Sequence, residues 1–238
     1  MCASTVSSKM LAEIARVEGF YFEDTLTGFK WIGSRAAELN GDGGYRSLFA
    51  YEEAIGFSCG DVIFDKDGIS AMAVFSELTY SVYRQGLTLT DHMQSIYDKY
   101  GEFVSQNGYY FLEDNAVVDK IMQHIRCNGT YKVDVGPYEI VSIRDLGEPG
   151  YDSTTANKKP TLPTSKSSPM MTIRFSNGCV AQFRASGTEP KFKYYIEMKG
   201  TPGISRDVVA KELQTMAGII LEKLVQPKEN GLILPSHL

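Results

Sequence analysis

The sequence predicts two domains of different classes, an α/β domain followed by an α+β domain. Up to about residue 100, β-like runs alternate with amphipathic helical segments, which is typical of βαβ units around a parallel sheet. Farther on, strand-like runs follow one another, and Ser176-Asn177-Gly178 between two of them is a strong hairpin signal. The length of 238 residues fits one or two domains. We therefore expect one domain at residues 1–100 and another at 101–238, the latter with an antiparallel sheet and helices on one face.

The first domain is expected to begin with a strand and a helix. The run 2–6 is β-compatible, and Ser7 and Ser8 are good caps for a helix at 9–18 that Gly19 ends. Further strands are expected at 20–22 and 48–51, and further helices at 33–39, 67–85 and 89–100, the last with Thr90 and Asp91 as caps. The helix at 67–85 is nearly apolar along one side, at Ile69, Met72, Ala73, Phe75, Leu78 and Val82.

The second domain is expected to hold most of the strands. The strand-like runs are 109–112, 138–145, 170–176, 180–185 and 194–198, and the helical segments are 115–126 and 206–225. Residues 154–169 are rich in Pro, Ser, Thr and Lys, and predict a long mobile loop.

Composition excludes several classes of protein. With 24 basic and 29 acidic residues the net charge is −5, which argues against a nucleic-acid partner. No run approaches about 18 apolar residues, so we expect no membrane span, and the N-terminus does not resemble a signal peptide. The four cysteines are scattered without metal-like spacing, which favours reduced thiols and a cytoplasmic location. The alternative is a peroxisome-related location, because Ser236-His237-Leu238 loosely resembles a peroxisomal address.

Positive charge is concentrated in one part of this acidic chain. Between Tyr151 and Gly200 there are eight basic and three acidic residues. A local basic segment of this size favours a small anionic ligand over a polyanion. A solvated loop accounts for Lys158, Lys159 and Lys166 in this interpretation.

The residues best suited to an anion lie in the run RASGTEPK at 184–191. Arg184 offers a planar fork to two phosphate oxygens, and Lys191 adds a second positive charge. Ser186 and Thr188 supply hydroxyl donors, and Gly187 lets the backbone N–H groups approach an anion closely. The alternative is an ordinary hairpin with exposed polar residues, but the whole octapeptide is more specific than an isolated Ser-Gly-Thr.

Together with other stretches, this loop resembles a known family, the α-D-phosphohexomutases, in which such a loop binds phosphate in the last of four domains. The other similar stretches are TLTGFKWIG at 25–33, FAYEEAIG at 49–56, DKDG at 65–68 and LPTSKSS at 162–168. They are similar to the phosphoglucomutase-2/phosphopentomutase branch. The resemblance covers nearly the whole chain and implies its C-terminal half: a third domain, slightly truncated at its N-terminus, and a complete fourth domain.

The resemblance implies a sugar-binding site in the first domain. Glu52 matches the family's sugar-binding glutamate, and a carboxylate suits a vicinal diol because it accepts two hydroxyl donors. Glu53 either faces the sugar too or supports the loop, and a pair of surface carboxylates is the alternative for both. The other residues assigned to the sugar site are Thr27, Gly28, Lys30 and Lys66. For each lysine the alternative is a salt bridge within the domain.

Two parts of the family's active site have no counterpart in this sequence. Family members carry a phosphorylated serine in a Ser-His-Asn-Pro type of loop and bind Mg²⁺ through a D-x-D-x-D-R loop. Here the only Ser-His pair is Ser236-His237, and the only D-x-D is Asp65/Asp67. No catalytic residue and no metal ligand is therefore assigned to this chain, and Mg²⁺ is expected on another part of the intact enzyme.

The implied function is that of a phosphoglucomutase or phosphopentomutase. Such an enzyme interconverts sugar 1-phosphates with glucose 6-phosphate, ribose 5-phosphate or deoxyribose 5-phosphate through a phosphoserine and a sugar bisphosphate. Its activator is glucose 1,6-bisphosphate or ribose 1,5-bisphosphate. Ala54 stands where many hexose-specific members have serine, which favours the pentose-tolerant branch. The alternatives are part of a glucose 1,6-bisphosphate synthase, or a non-catalytic sugar-phosphate-binding protein.

From the resemblance, the expected partners are sugar phosphates and the N-terminal domains of the same enzyme, with neither nucleic acid nor membrane. Without those domains, the chain alone is expected to bind sugar phosphates and to be catalytically inactive.

Overall fold

The chain divides into two units in the computed structural model, which describes residues 1–114, 116–187 and 189–235. The first unit contains Met1–Phe103 together with Thr201–Gly203, and the second begins at Val104. The first has a mixed, mainly parallel sheet, and the second has an antiparallel sheet with helices. The expected class, α/β followed by α+β, is confirmed.

The sheet of the first unit brings three strand ends to one edge. Its strands are β1 (Cys2–Ser4), β2 (Glu23–Thr25), β3 (Phe49–Glu52) and β4 (Gly56–Cys59), in the order β2-β1-β3-β4. β1 is parallel to both β2 and β3, whereas β4 runs antiparallel to β3. The expectation of a strand at 20–22 is wrong, because the backbone that pairs with β1 is Glu23–Thr25. The β3–β4 hairpin was not predicted.

Four helices complete this unit: α1 (Met10–Glu18), α2 (Phe29–Gly41), α3 (Gly68–Arg84) and α4 (Leu89–Tyr100). Gly19 ends α1 in the left-handed conformation, as expected. α2 begins before the predicted start at Gly33. α4 is capped by a reciprocal pair between Thr88 and Asp91, so Thr90 has no capping role.

The core of the first unit is small. It consists of Cys2, Phe29, Ile32, Ala36 and Ala50, with Leu39 and Phe64 packed against it. Gly33 of α2 lies so close to the backbone of Phe64 that an added Cβ would overlap the Phe64 carbonyl oxygen. This approach holds α2 against the segment that leads into α3.

Helix α3 leaves its apolar side exposed. Ile69 is 73% exposed and Phe75 57% exposed, and Val82 is its only buried residue. An exposed apolar side of a helix is normally covered by protein or lipid. Within the described part of the chain, however, no helix, α3 included, is both long and apolar enough to cross a membrane.

The second unit is built on a seven-stranded sheet, in the order β5-β11-β10-β9-β7-β6 with β8 on β7. The strands are β5 (Phe103–Phe111), β6 (Asp134–Val135), β7 (Tyr138–Asp145), β8 (Tyr151–Asp152), β9 (Met170–Phe175), β10 (Cys179–Ala185) and β11 (Lys191–Lys199). Ser176-Asn177-Gly178 joins β9 to β10, with Gly178 at φ 84°, so the predicted hairpin is confirmed.

Helices α5 (Ala116–Arg126) and α6 (Arg206–Ile220) pack against one core with this sheet. The predicted first residue of α5, Asn115, lies outside the described residues. α6 continues as a π-helical turn at Leu221–Val225. The core includes Ile121, Met122, Ile125, Phe183, Phe192, Leu213, Met216 and Ile220.

A buried ion pair fixes the end of β7. Arg126 donates to both carboxylate oxygens of Asp145, at 2.6 and 3.0 Å, and this contact raises the pKa of the guanidinium. Asp145 also accepts from the Tyr131 hydroxyl at 2.9 Å and from the Gly147 N–H at 2.8 Å. These bonds satisfy a carboxylate that is 2% exposed.

The two helical glycines Gly33 and Gly218 predict opposite effects of alanine. Gly33→Ala should lower the free energy of unfolding of the first unit by about 1–3 kcal/mol, the usual cost of overpacking. Gly218 of α6 has open space around its Cβ position, so Gly218→Ala should stabilise the helix by about 0.5–1 kcal/mol. Urea unfolding, followed by Trp31 fluorescence for the first unit and by circular dichroism for the chain, measures both. A neutral Gly33→Ala substitution would contradict the close approach.

Candidate functional site

The first candidate site lies at the carboxyl edge of the parallel strands. The connection that leaves β1 leads to β2 on one side of it, and the next connection crosses from β2 to β3 on the other side, so the direction of winding reverses at β1. Such a point in an α/β sheet opens a crevice where ligands commonly bind. The segments that follow β1, β2 and β3 meet here, and two of them carry Thr27, Gly28, Glu52 and Glu53.

A cavity of 310 Å³ lies at the opposite, amino end of these strands. Cys2, Tyr21, Leu39 and Leu48 are among its lining residues. None of the residues assigned to the sugar site lines it.

The loop after β2 depends on a glycine. Gly28 precedes α2 with φ 102°, a conformation that favours glycine, and its carbonyl accepts from the Trp31 N–H at 3.0 Å. Thr27 is partly exposed beside it. Lys30 is exposed, with its ammonium 5.9 Å from the centroid of the Trp31 ring. The loop therefore presents a hydroxyl, backbone and an ammonium at the start of a helix.

Glu52 and Lys66 form an ion pair in this crevice, with Nζ 3.4 Å from Oε1. The side chain of Glu52 is 10% exposed and that of Lys66 is 53% exposed. The salt bridge that was the alternative for Lys66 is therefore formed in the structure. A Cβ at Gly56 would lie 2.6 Å from Lys66 Cδ and 2.9 Å from Glu52 Oε1, so a side chain at this position would have to displace the ion pair.

Glu53 accepts a hydrogen bond from Ser4, a residue to which the sequence analysis gave no role in the site. Ser4 Oγ donates to Glu53 Oε2 at 2.9 Å and lies 2.7 Å from Ser7 Oγ. Ser4 and Ser7 are both 2% exposed. The N-cap of α1 is Lys9, and only Ser8 accepts from a helical N–H, that of Met10. The signal in the sequence was the hydroxyl-rich run Ser4-Thr5-Val6-Ser7-Ser8, which begins with the last residue of a strand.

The second candidate site is the connection between β10 and β11. Arg184 lies opposite Met170 on one neighbouring strand and opposite Lys193 on the other. The Ser186 N–H donates to the Lys191 carbonyl at 2.8 Å and closes the loop. Ser186 and Gly187 lie between Arg184 and Lys191 along the chain, whereas Thr188 lies outside the described residues.

Lys191 is engaged on two sides. Its ammonium lies 2.7 Å from Glu189 Oε1, a contact that lowers the pKa of the Glu189 carboxyl. It also lies 4.5 Å from the ring centroid of Tyr109 and 5.3 Å from that of Phe111. The Leu112 N–H donates to the Pro190 carbonyl at 2.9 Å. The loop is thus attached to β5 as well as to its own two strands.

The residues present do not fit a magnesium site. Among the described residues, no three His, Cys, Asp or Glu side chains are grouped so that they could hold a metal ion. The two aspartates of the D-x-D pattern accept backbone hydrogen bonds instead. Asp65 accepts from the Lys66 N–H at 2.7 Å, and Asp67 caps α3 by accepting from the Ile69 N–H at 3.0 Å.

Comparisons with known proteins agree with this architecture. Residues 1–100 match the family described as phosphoglucomutase/phosphomannomutase, alpha/beta/alpha domain III. The chain is 44% identical over 237 residues to mouse glucose 1,6-bisphosphate synthase and 44% identical over 236 residues to mouse phosphopentomutase. Each match covers 98% of this chain and 38% of the relative. The chain thus spans about two fifths of the length of these relatives.

A solved structure shares the fold across both units. It is the open form of pp63/parafusin, a phosphoglucomutase from Paramecium, with a TM-score of 0.69 and 19% identity. The match covers 99% of this chain and 39% of that one. The chain therefore belongs to the phosphohexomutase superfamily, in the branch of phosphopentomutase and glucose 1,6-bisphosphate synthase, and corresponds to a C-terminal half that begins in the third domain.

Proposed function

We propose that this chain supplies the sugar-binding and phosphate-binding half of a phosphopentomutase or phosphoglucomutase. The whole enzyme would interconvert sugar 1-phosphates with ribose 5-phosphate, deoxyribose 5-phosphate or glucose 6-phosphate. The observation that carries the proposal is the meeting of Glu52, Glu53 and the Thr27-Gly28 loop at one edge of the first sheet. The 44% identity to mouse phosphopentomutase supports it.

The exposure of each ion pair suggests how ligand binding would proceed. In the first site Glu52 is the covered partner and Lys66 the exposed one, so Lys66 can swing away and leave a carboxylate for sugar hydroxyls. In the second site Lys191 is 17% exposed and Glu189 is 48% exposed. Glu189 can therefore move out and leave a cation for the phosphate that does not react.

The chain's own contribution to catalysis is positioning. Phosphoryl transfer depends mainly on the alignment of the reactants and on neutralisation of charge. Arg184, Ser186, Gly187 and Lys191, together with Thr188, would hold the phosphate, and Lys30 and Lys66 would lie near the sugar. The phosphoserine and Mg²⁺ belong to the N-terminal domains, with glucose 1,6-bisphosphate or ribose 1,5-bisphosphate as activator.

A second candidate is glucose 1,6-bisphosphate synthase, because the identity to that mouse enzyme is equally 44%. The full-length protein distinguishes the two functions: 1,3-bisphosphoglycerate as phosphoryl donor supports the synthase, and bisphosphate-activated isomerisation supports the mutase. A comparison of ribose 1-phosphate with glucose 1-phosphate tests the pentose preference that Ala54 suggests.

The N-terminal domains are also the partner proposed for α3. This helix exposes Ile69, Met72 and Phe75, and the matched relatives have more than half of their length outside the region of similarity. A domain numbered three in its family has two others before it, and an apolar surface of this kind typically marks a protein interface.

Sugar-phosphate binding can be followed through Trp31, the single tryptophan. Glucose 1,6-bisphosphate or ribose 1-phosphate should change its fluorescence saturably, because Trp31 is 40% exposed beside the Gly28 loop. Glu52→Gln and Arg184→Ala should each weaken binding about tenfold or more, as expected for the loss of a charged hydrogen-bonding group. Lys211→Ala removes an equal charge from α6 and should leave the affinity unchanged. A folded chain that gives no response to either ligand would contradict the proposal.

The Ser4 hydroxyl is expected to act through Glu53. Ser4→Ala should lower the free energy of unfolding by about 1–3 kcal/mol, because it removes buried hydrogen bonds. It should also weaken sugar-phosphate binding while leaving the binding of inorganic phosphate unchanged. Ser58→Ala is the matched control, since Ser58 is also buried and donates to the Ile63 carbonyl at 2.7 Å. If both variants bind sugar phosphates equally well, Ser4 has only a structural role.

Fusion of this chain to N-terminal domains, followed by an assay of mutase activity, tests whether those domains cover α3. The chain alone should show no mutase activity with glucose 1-phosphate and a bisphosphate activator. Fusion to the N-terminal part of mouse phosphopentomutase should restore activity, and Phe75→Glu in the fusion should abolish it. Val208→Glu, at an exposed position of α6, is the control. Clear turnover by the isolated chain, or an active Phe75→Glu fusion, would contradict this assignment.

A further inference from the structure

The structure attaches the end of the stretch LPTSKSS at 162–168 to the second sheet. The Ser165 N–H donates to the Leu146 carbonyl at 2.8 Å, and the Leu146 N–H donates to the Met170 carbonyl at 2.8 Å. Both ends of residues 165–170 are therefore bonded to one residue at the end of β7. The Ser168 N–H donates to Ser165 Oγ at 3.2 Å and closes the turn internally.

Strand pairing places this turn beside the connection between β10 and β11 at 184–191, which is proposed to bind phosphate and is called the phosphate loop below. β9 begins at Met170, directly opposite Arg184 of β10, where the chain leaves the sheet toward Ser186. Neighbouring strands lie about 4.8 Å apart, so the turn that leads into β9 is one to two strand spacings, or about 5–10 Å, from the start of the phosphate loop. A lysine side chain and a phosphate together can span that distance.

The turn carries Lys166, whose ammonium differs from that of Lys191 in its contacts. Lys166 is exposed, and no residue within the described ranges forms an ion pair with it. Lys191, in contrast, contacts Glu189 and two aromatic rings. A phosphate monoester carries close to two negative charges near neutral pH. Arg184 and Lys191 offer two positive charges, but Glu189 competes with the phosphate for that of Lys191, so a third cation nearby would complete the neutralisation.

We propose that Lys166, with the hydroxyls of Ser167 and Ser168, forms a second wall of the phosphate site and contacts the dianion held by Arg184. The inference rests on the proposed function and names a group of residues that it did not include. The solvated-loop interpretation remains adequate for Lys158, whose ammonium donates to the Ser153 carbonyl at 2.8 Å, and for Lys159.

The ligand of this wall is the phosphate group itself. Lysine and serine hydroxyls donate to phosphate oxygens without reading a sugar. The wall should therefore act equally on inorganic phosphate and on a sugar phosphate. The sugar hydroxyls would remain the task of Glu52.

Calorimetric titration of the 238-residue chain tests the proposal with inorganic phosphate and, separately, glucose 6-phosphate. Lys166→Ala should weaken both affinities about fivefold, the effect of losing an exposed charge contact of about 1 kcal/mol. Lys166→Arg should retain most of the affinity, and Lys166→Glu should weaken it further. Lys159→Ala, an equal charge change in the same loop, should have little effect. Arg184→Ala reports whether the phosphate loop is the site at all.

Each outcome is decisive. If Arg184→Ala weakens binding and Lys166→Ala matches Lys159→Ala, the second wall is wrong while the phosphate site stands. If the chain binds neither ligand, or if Arg184→Ala changes nothing, the proposed phosphate site fails and the wall fails with it. Graded losses at Lys166 with no effect at Lys159 support the inference.

Discussion

Backbone pairing between neighbouring strands fixes where the strand ends that carry the two candidate sites lie. In the first unit, parallel pairing of β1 with both β2 and β3 brings three strand ends to one edge. A slip of one residue would turn Glu52 toward the opposite face of the sheet. In the second unit, the pairing of Arg184 with Met170 and Lys193 sets the loop that is proposed to bind phosphate between two strands and beside the turn that carries Lys166.

The two sites share one electrostatic arrangement with opposite polarity. Each holds a carboxylate and an ammonium in contact, Glu52 with Lys66 and Glu189 with Lys191. In the first candidate site the carboxylate is the covered partner, and in the second the ammonium is the covered partner. Such pairs keep the charges compensated before a ligand arrives. The partner that remains covered matches the ligand proposed for each site, hydroxyls in one and an anion in the other.

The sequence predicted the class of both units and the hairpin at Ser176-Asn177-Gly178, because local turn chemistry and alternation carry that information. The aromatic run 20–22 has a high β propensity, but it is not the strand. Pairing with β1 outweighs local propensity, and the residues that pair are Glu23–Thr25. The contact between Ser4 and Glu53 joins residues 49 positions apart, which no local pattern shows. The sugar and phosphate residues were assigned by resemblance, and their roles remain predictions. Thr188 and Ser236-His237-Leu238 lie outside the described residues.

The measurement that tests the central claim most directly is a map of backbone amide chemical shifts in the isotopically labelled chain as glucose 1,6-bisphosphate is added. The account predicts saturable shifts at residues 26–30 and 52–54 in the first unit, and at 165–168 and 184–187 in the second. Shifts concentrated around the cavity lined by Cys2, Tyr21 and Leu39, at the amino end of the parallel strands, would contradict it. So would a folded chain whose spectrum does not change.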